Sequence, residues 1–88
     1  MIEFDFTPHG VCSRNIHVAV SDDAQTVEHI EFTGGCNGNL KAISKLVEGQ
    51  PVQQIVDLLA GNTCAPRPTS CADQMTLALK EAVAKANA

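Results

Sequence analysis

Three antiparallel strands followed by three helices, an α+β sandwich with the helices on one face of the sheet, is the fold that this sequence of 88 residues predicts. Two observations predict it. The apolar period is 2 before Gly34 and 3.6 after it. In addition, the central hairpin has one register that pairs apolar with apolar across the strands.

Ile2, Phe4 and Phe6 alternate with Glu3, Asp5 and Thr7, which is a strand with one buried face. Pro8-His9-Gly10 breaks it. Ile16, Val18 and Val20 alternate with Asn15, His17 and Ala19 in a second strand, and Ser21-Asp22-Asp23-Ala24-Gln25 is a polar turn. Residues 26–33 form the third strand, with Ile30 and Phe32 on one face and Glu28 on the same side nearer the turn. A turn centred near Ala24 sets Val18 against Ile30 and Ile16 against Phe32. A slip of one residue would set Ile30 against His17. Extended to its open end, the favoured register puts Cys12 opposite Cys36.

Leu40, Ile43, Leu46 and Val47 share a face of the first helix, which Gly49 ends. Pro51 suits the first position of a second helix with the stripe Val52, Ile55, Val56 and Leu59, closed by Gly61. Residues 62–68 form a proline-containing loop around Cys64. Ser70-Cys71-Ala72-Asp73 is an N-terminal cap. It opens a last helix with Met75, Ala78, Leu79, Ala82 and Ala86 on one face. Residues 1–88 thus make one domain.

Composition narrows the function. A core this small gives marginal stability alone, so a metal, a disulfide or a partner chain would help. A net charge of −4, no Trp or Tyr and three Phe argue against a nucleic-acid surface. No apolar run approaches the roughly 18 residues of a membrane helix. The N-terminus lacks a basic and then apolar signal segment, so a cytoplasmic location is expected. There, cysteines serve metal binding or redox chemistry more often than structural disulfides.

The four cysteines carry the candidate chemistry. None lies in a C-x-x-C pair, so placement rather than spacing is the signal. Cys12 and Cys36 would meet at the open end of the hairpin, and Cys71 would stand in the first turn of the last helix. Cys64, seven residues earlier, reaches the same end on its loop. Thiolates are the metal-binding form, and a helix N-terminus favours them. Cys12, Cys36, Cys64 and Cys71 would suit tetrahedral zinc or an iron–sulfur cluster. Against this stand disulfides, or thiols that are merely small buried residues. His9, three residues before Cys12, is a candidate for a supporting role, whereas His17 and His29 fall on the solvated face. The glycine-rich turn before the first helix reads as a ligand-bearing loop rather than a phosphate cradle. No serine–histidine–aspartate or paired-carboxylate arrangement points to hydrolysis.

Gly10-Val11-Cys12-Ser13, Phe32-Thr33-Gly34-Gly35-Cys36-Asn37-Gly38-Asn39-Leu40 and Thr69-Ser70-Cys71-Ala72-Asp73-Gln74 resemble the TSCPD family over nearly the whole chain. Ala72 stands where the family name places Pro, a residue tolerated in a first helical turn. A similar domain ends some adenosylcobalamin-dependent ribonucleotide reductases. The four cysteines point to a metal-binding module, whereas the resemblance implies an accessory of ribonucleotide reduction, by docking or by thiol–disulfide exchange. A structural interaction domain with inert thiols is the third reading. A chain of 88 residues has no room for the reductase barrel itself, so no independent activity is expected. The element order is also remotely similar to the NifU-type iron–sulfur scaffold, with Cys12, Cys36 and Cys71 at its three cysteine places. Arg14 and Ser70 stand where that scaffold has an acidic residue and a histidine, and Cys64 is additional. These departures favour a tighter all-sulfur site over a labile transfer site. A protein partner is implied, either ribonucleotide reductase or iron–sulfur assembly machinery.

Overall fold

The computed structural model describes residues 1–11, 13–34, 37–62 and 69–87. Strands β1 (Ile2–Phe6), β2 (Ser13–Val20) and β3 (Val27–Gly34) form an antiparallel sheet in the order β1-β2-β3. Helices α1 (Asn37–Val47), α2 (Val52–Leu59) and α3 (Cys71–Ala86) follow. This is the predicted α+β arrangement, a three-stranded sheet and then three helices. No helix among the described residues is long and apolar enough to cross a membrane.

The expected register holds through the middle of the hairpin: Ile16 pairs with Phe32 and Val18 with Ile30. At both ends it shifts by one residue, between Ser13 and Asn15 and between Ala19 and Val20. The second shift corrects the reading of Glu28. Val27 and Ile30 are both buried, three residues apart, and strict alternation cannot bury both. The extra residue at Glu28 turns that side chain out to solvent instead of leaving it beside Ile30 and Phe32. The strand accordingly starts at Val27, and Thr26 makes an isolated bridge to Pro51. The first shift matters for the cysteines, because Ser13 pairs with Gly34 and the straight extrapolation from Cys12 to Cys36 is lost one step before it is reached. Both of those cysteines lie outside the described residues.

The core lies between the inner face of the sheet and the helices. Ile16, Val18, Val20 and Ile30 meet Met75, Ala78, Leu79 and Ala82 of α3. Alanines at 78 and 82 let this helix lie close over β1 and β2, while α1 packs beside β3. In α1, Leu40 and Val47 are buried, but Leu46 is 74% exposed, contrary to the expected stripe. At about 100° per residue it stands a quarter-turn or more away from Val47. Gly49 adopts φ +87 after α1, the left-handed residue expected there. Pro51 is the residue before α2 rather than its first residue; φ −62 with ψ 132 is extended backbone. Ser70 caps α3 as predicted, its side chain accepting from Asp73 N.

Candidate functional site

The start of α3 is where distant parts of the chain are tied together. Ser70 Oγ accepts from Asp73 N at 3.1 Å and donates to Asn62 O at 2.6 Å. Asn62 Nδ2 in turn donates to Ser70 Oγ at 3.3 Å. Asp73 holds the flanks of the loop that separates α2 from α3. Its Oδ1 accepts from Gly61 N at 2.6 Å and its Oδ2 accepts from the Thr69 hydroxyl. These bonds, the Thr69 one first and the Gly61 one second, hold the Asp73 carboxyl below its ordinary range. A single side chain thus fixes both flanks of the segment that carries Cys64.

The segment before β2 is held at the same place. His9 N donates to Gln74 Oε1 at 3.2 Å, and Gln74 Nε2 donates to Thr69 Oγ1 at 3.0 Å. Gly10 adopts φ +72, a conformation that favours glycine, and lies beside Thr69, whose Cγ2 a Cβ there would meet in ordinary contact at 3.5 Å. Two residues beyond Val11, Ser13 is buried and its Oγ lies 3.3 Å from Cys71 Sγ. Cys71 is the first residue of α3, half-buried and, among the described residues, in no disulfide.

Of the four candidate ligands, Cys71 alone is among the described residues; Cys12, Cys36 and Cys64 lie outside them. Among the described residues no group of three or more His, Cys, Asp or Glu could hold a metal ion. Carboxylates and imidazoles therefore form no competing site within that set, and Cys71 stands beside a hydroxyl rather than a charged group. The neighbours of the other cysteines do converge on it. Ser13, next to Cys12, pairs with Gly34, two residues before Cys36. Asn62, two residues before Cys64, bonds Ser70, next to Cys71.

His9 is exposed and, among the described residues, joins this region through its backbone. His17 and His29 sit on the open face of the sheet, as expected, yet both are engaged. His17 meets Asp5 Oδ1 at 2.8 Å and Glu3 Oε1 at 3.1 Å. His29 Nδ1 lies 2.9 Å from Glu48 Oε2. The roles of Ser13, Asn62 and Gln74 escaped the sequence reading. The cap pattern Ser70-Cys71-Ala72-Asp73 marked the local bond to Asp73 N but not the long-range ones.

A family model described as TSCPD domain matches residues 2–83. No curated protein matches the chain. No solved structure matches it either.

Proposed function

The chain belongs to the TSCPD domain family, and on that premise we propose that it is a small metal-binding module acting as a scaffold, carrier or partner-recognition domain. Cys12, Cys36, Cys64 and Cys71 are its ligands in this reading, and zinc or an iron–sulfur cluster is its cargo or structural centre. The supporting observation is the contact of Ser13 Oγ with Cys71 Sγ. It brings the residue after Cys12 onto Cys71 while Ser13 also pairs with the strand end that leads to Cys36. The Asp73 clamp adds the flanks of the Cys64 segment.

A bound metal would add cross-links between chain segments that the contacts of Ser13, Asn62 and Asp73 already bring together. The chain's own part is then to hold Cys71 in place, through the Ser70 cap and the Ser13 contact, and to keep the loop flanks fixed. A Cys71 thiolate has no proton to give, so in the metal-bound form Ser13 Oγ would be the donor of their hydrogen bond. A tightly held all-sulfur centre suits a domain recognised by a protein partner, such as ribonucleotide reductase or iron–sulfur assembly machinery. Such a domain needs no substrate pocket of its own.

The test is elemental analysis of anaerobically purified protein, with a visible spectrum of the same sample. About one zinc per chain without colour supports a structural or docking centre. Iron with acid-labile sulfide and a brown chromophore supports cluster handling. Folded protein with four titratable thiols and no metal rejects the reading.

A further inference from the structure

Beside β3 lies a groove of about 350 Å³, bounded by the strand on one side and α1 on the other. The strand is an edge of the sheet, so one row of its backbone groups points away from β2. Half of that row is already closed. Val27 N donates to Gln50 O at 2.9 Å, and Gly49 N donates to Val27 O at 2.8 Å. Ile30 N donates to Glu48 Oε2 at 3.1 Å. Because Ile30 N faces outward, the groups of Phe32, two residues on in a continuous register, face outward too. Among the described residues, no group from outside the sheet meets them.

The walls of this open half are specific. Phe32 and Leu40 give it an apolar floor, and Lys41 and Lys45, one turn apart on α1, form a cationic rail. Arg14 reaches the end of the groove; a Cβ on Gly34 would stand 3.4 Å from its Nε. Thus Lys41 and Lys45 line the groove and Arg14 stands beside Gly34 at its end, on a chain whose net charge is −4. Two glutamates also line the groove: Glu48, at the closed end, is occupied by Ile30 N and His29, and Glu31 stands on the strand next to Phe32, across from the lysines of α1. The opposite edge is different: β1 carries Glu3 and Asp5, and the Lys85 ammonium donates to Glu3 O at 2.9 Å.

We propose that the open half of the β3 edge, around Phe32 and Gly34, takes an extended acidic segment of a partner protein as a fourth strand, its carboxylates facing Lys41, Lys45 and Arg14. Main-chain pairing would supply affinity and the cationic rail selectivity. The inference is independent of any metal, since all the residues that carry it are described and none is a candidate ligand.

The test uses the full chain and two capped heptapeptide probes, one alternating valine with glutamate and one alternating valine with lysine. Amide resonances are followed during titration, with a fluorescent version of each probe for affinity. The expected result is binding of the glutamate probe, with the largest shifts at Phe32, Gly34, Lys41 and Lys45. The lysine probe should bind at least about tenfold more weakly. Charge reversal in the double variant Lys41→Glu, Lys45→Glu, whose side chains are exposed, should invert that preference without unfolding the chain. A glutamate probe methylated on alternate backbone nitrogens should lose its binding. Several results overturn the proposal: no binding at millimolar probe, equal binding of both probes, or shifts centred on another face. So does concentration-dependent self-association that removes the same amides from solvent and that the probe does not compete with, since the occupant is then a second copy.

Discussion

Ser13 and Cys71, separated by 58 positions in the chain, meet at 3.3 Å between Oγ and Sγ, and the meeting joins the end of the central strand to the start of the last helix. The pair separates two kinds of change. Cys71→Ala should cost metal-free protein no more than about 1–2 kcal/mol, the packing and hydrogen bond of one small half-buried side chain. In metal-loaded protein the same change should cost several times more, because binding energy is then part of folding energy. Urea unfolding of wild type and variant, with and without a chelator, checks this. Equal costs in both conditions would make the thiol an ordinary packing group.

The cap of α3 does more than cap. Ser70→Ala removes an acceptor from Asp73 N and both bonds to Asn62. An ordinary N-cap loss is about 1 kcal/mol. Here the expected cost is about 2 kcal/mol, since the two part-buried bonds to Asn62 are lost as well. Hydrogen exchange should show faster opening of Asn62 and the first turn of α3, with the middle of the helix unchanged. Uniform loosening of the whole helix would contradict a local anchoring role.

Much of this fold was legible because its signals are local. Alternation located the strands, the apolar pairs chose the hairpin register, and glycine after α1 and serine before α3 marked the helix limits. What was misread needed long-range information. Glu28 was assigned to the inner face because a single inserted residue, forced by burial of both Val27 and Ile30, leaves no trace in the local pattern. Leu46 was counted with the core because apolar character says nothing about angle once a helix is seated on one strand. The site was legible as a set of cysteines at loops and helix starts. Its scaffolding was not, since Ser13 meets Cys71, Asn62 meets Ser70 and Gln74 meets His9 only when residues eight or more positions apart are brought together.

The open face of the sheet should make stability depend on pH through His17. Its bond to Asp5, and then that to Glu3, raise the imidazole pKa above the ordinary 6.5. The stabilisation is therefore full below about 6.5 and is lost as pH rises through the higher value of the folded state. Asp5, held below the ordinary 3.8 by bonds from His17 and then Asn15, works in the other direction. Its contribution is present above 3.8 and lost as pH falls through its lower folded value. Denaturant midpoints at pH 5.5 and 8.5 should differ for this reason, and His17→Gln should shrink the difference. The effect should also weaken in high salt, since both carboxylates are largely exposed. A pH difference that survives His17→Gln unchanged would place its origin elsewhere.

Two leucines give the sharpest contrast on the packing. Leu79 is fully buried beneath β2, among side chains that have little room to follow it into a void. Leu79→Ala should cost about 3–4 kcal/mol, a large share of the stability of a domain this size. Leu46 is equally apolar but 74% exposed, so Leu46→Glu should change stability by about 0.5 kcal/mol or less. Val47, its neighbour on α1, is buried, and Val47→Ala should fall between them. Urea midpoints of the three variants, at constant slope, test the seating of α1 and α3 at once. If Leu46→Glu were as damaging as Val47→Ala, α1 would have to be turned by about a quarter-turn relative to β3.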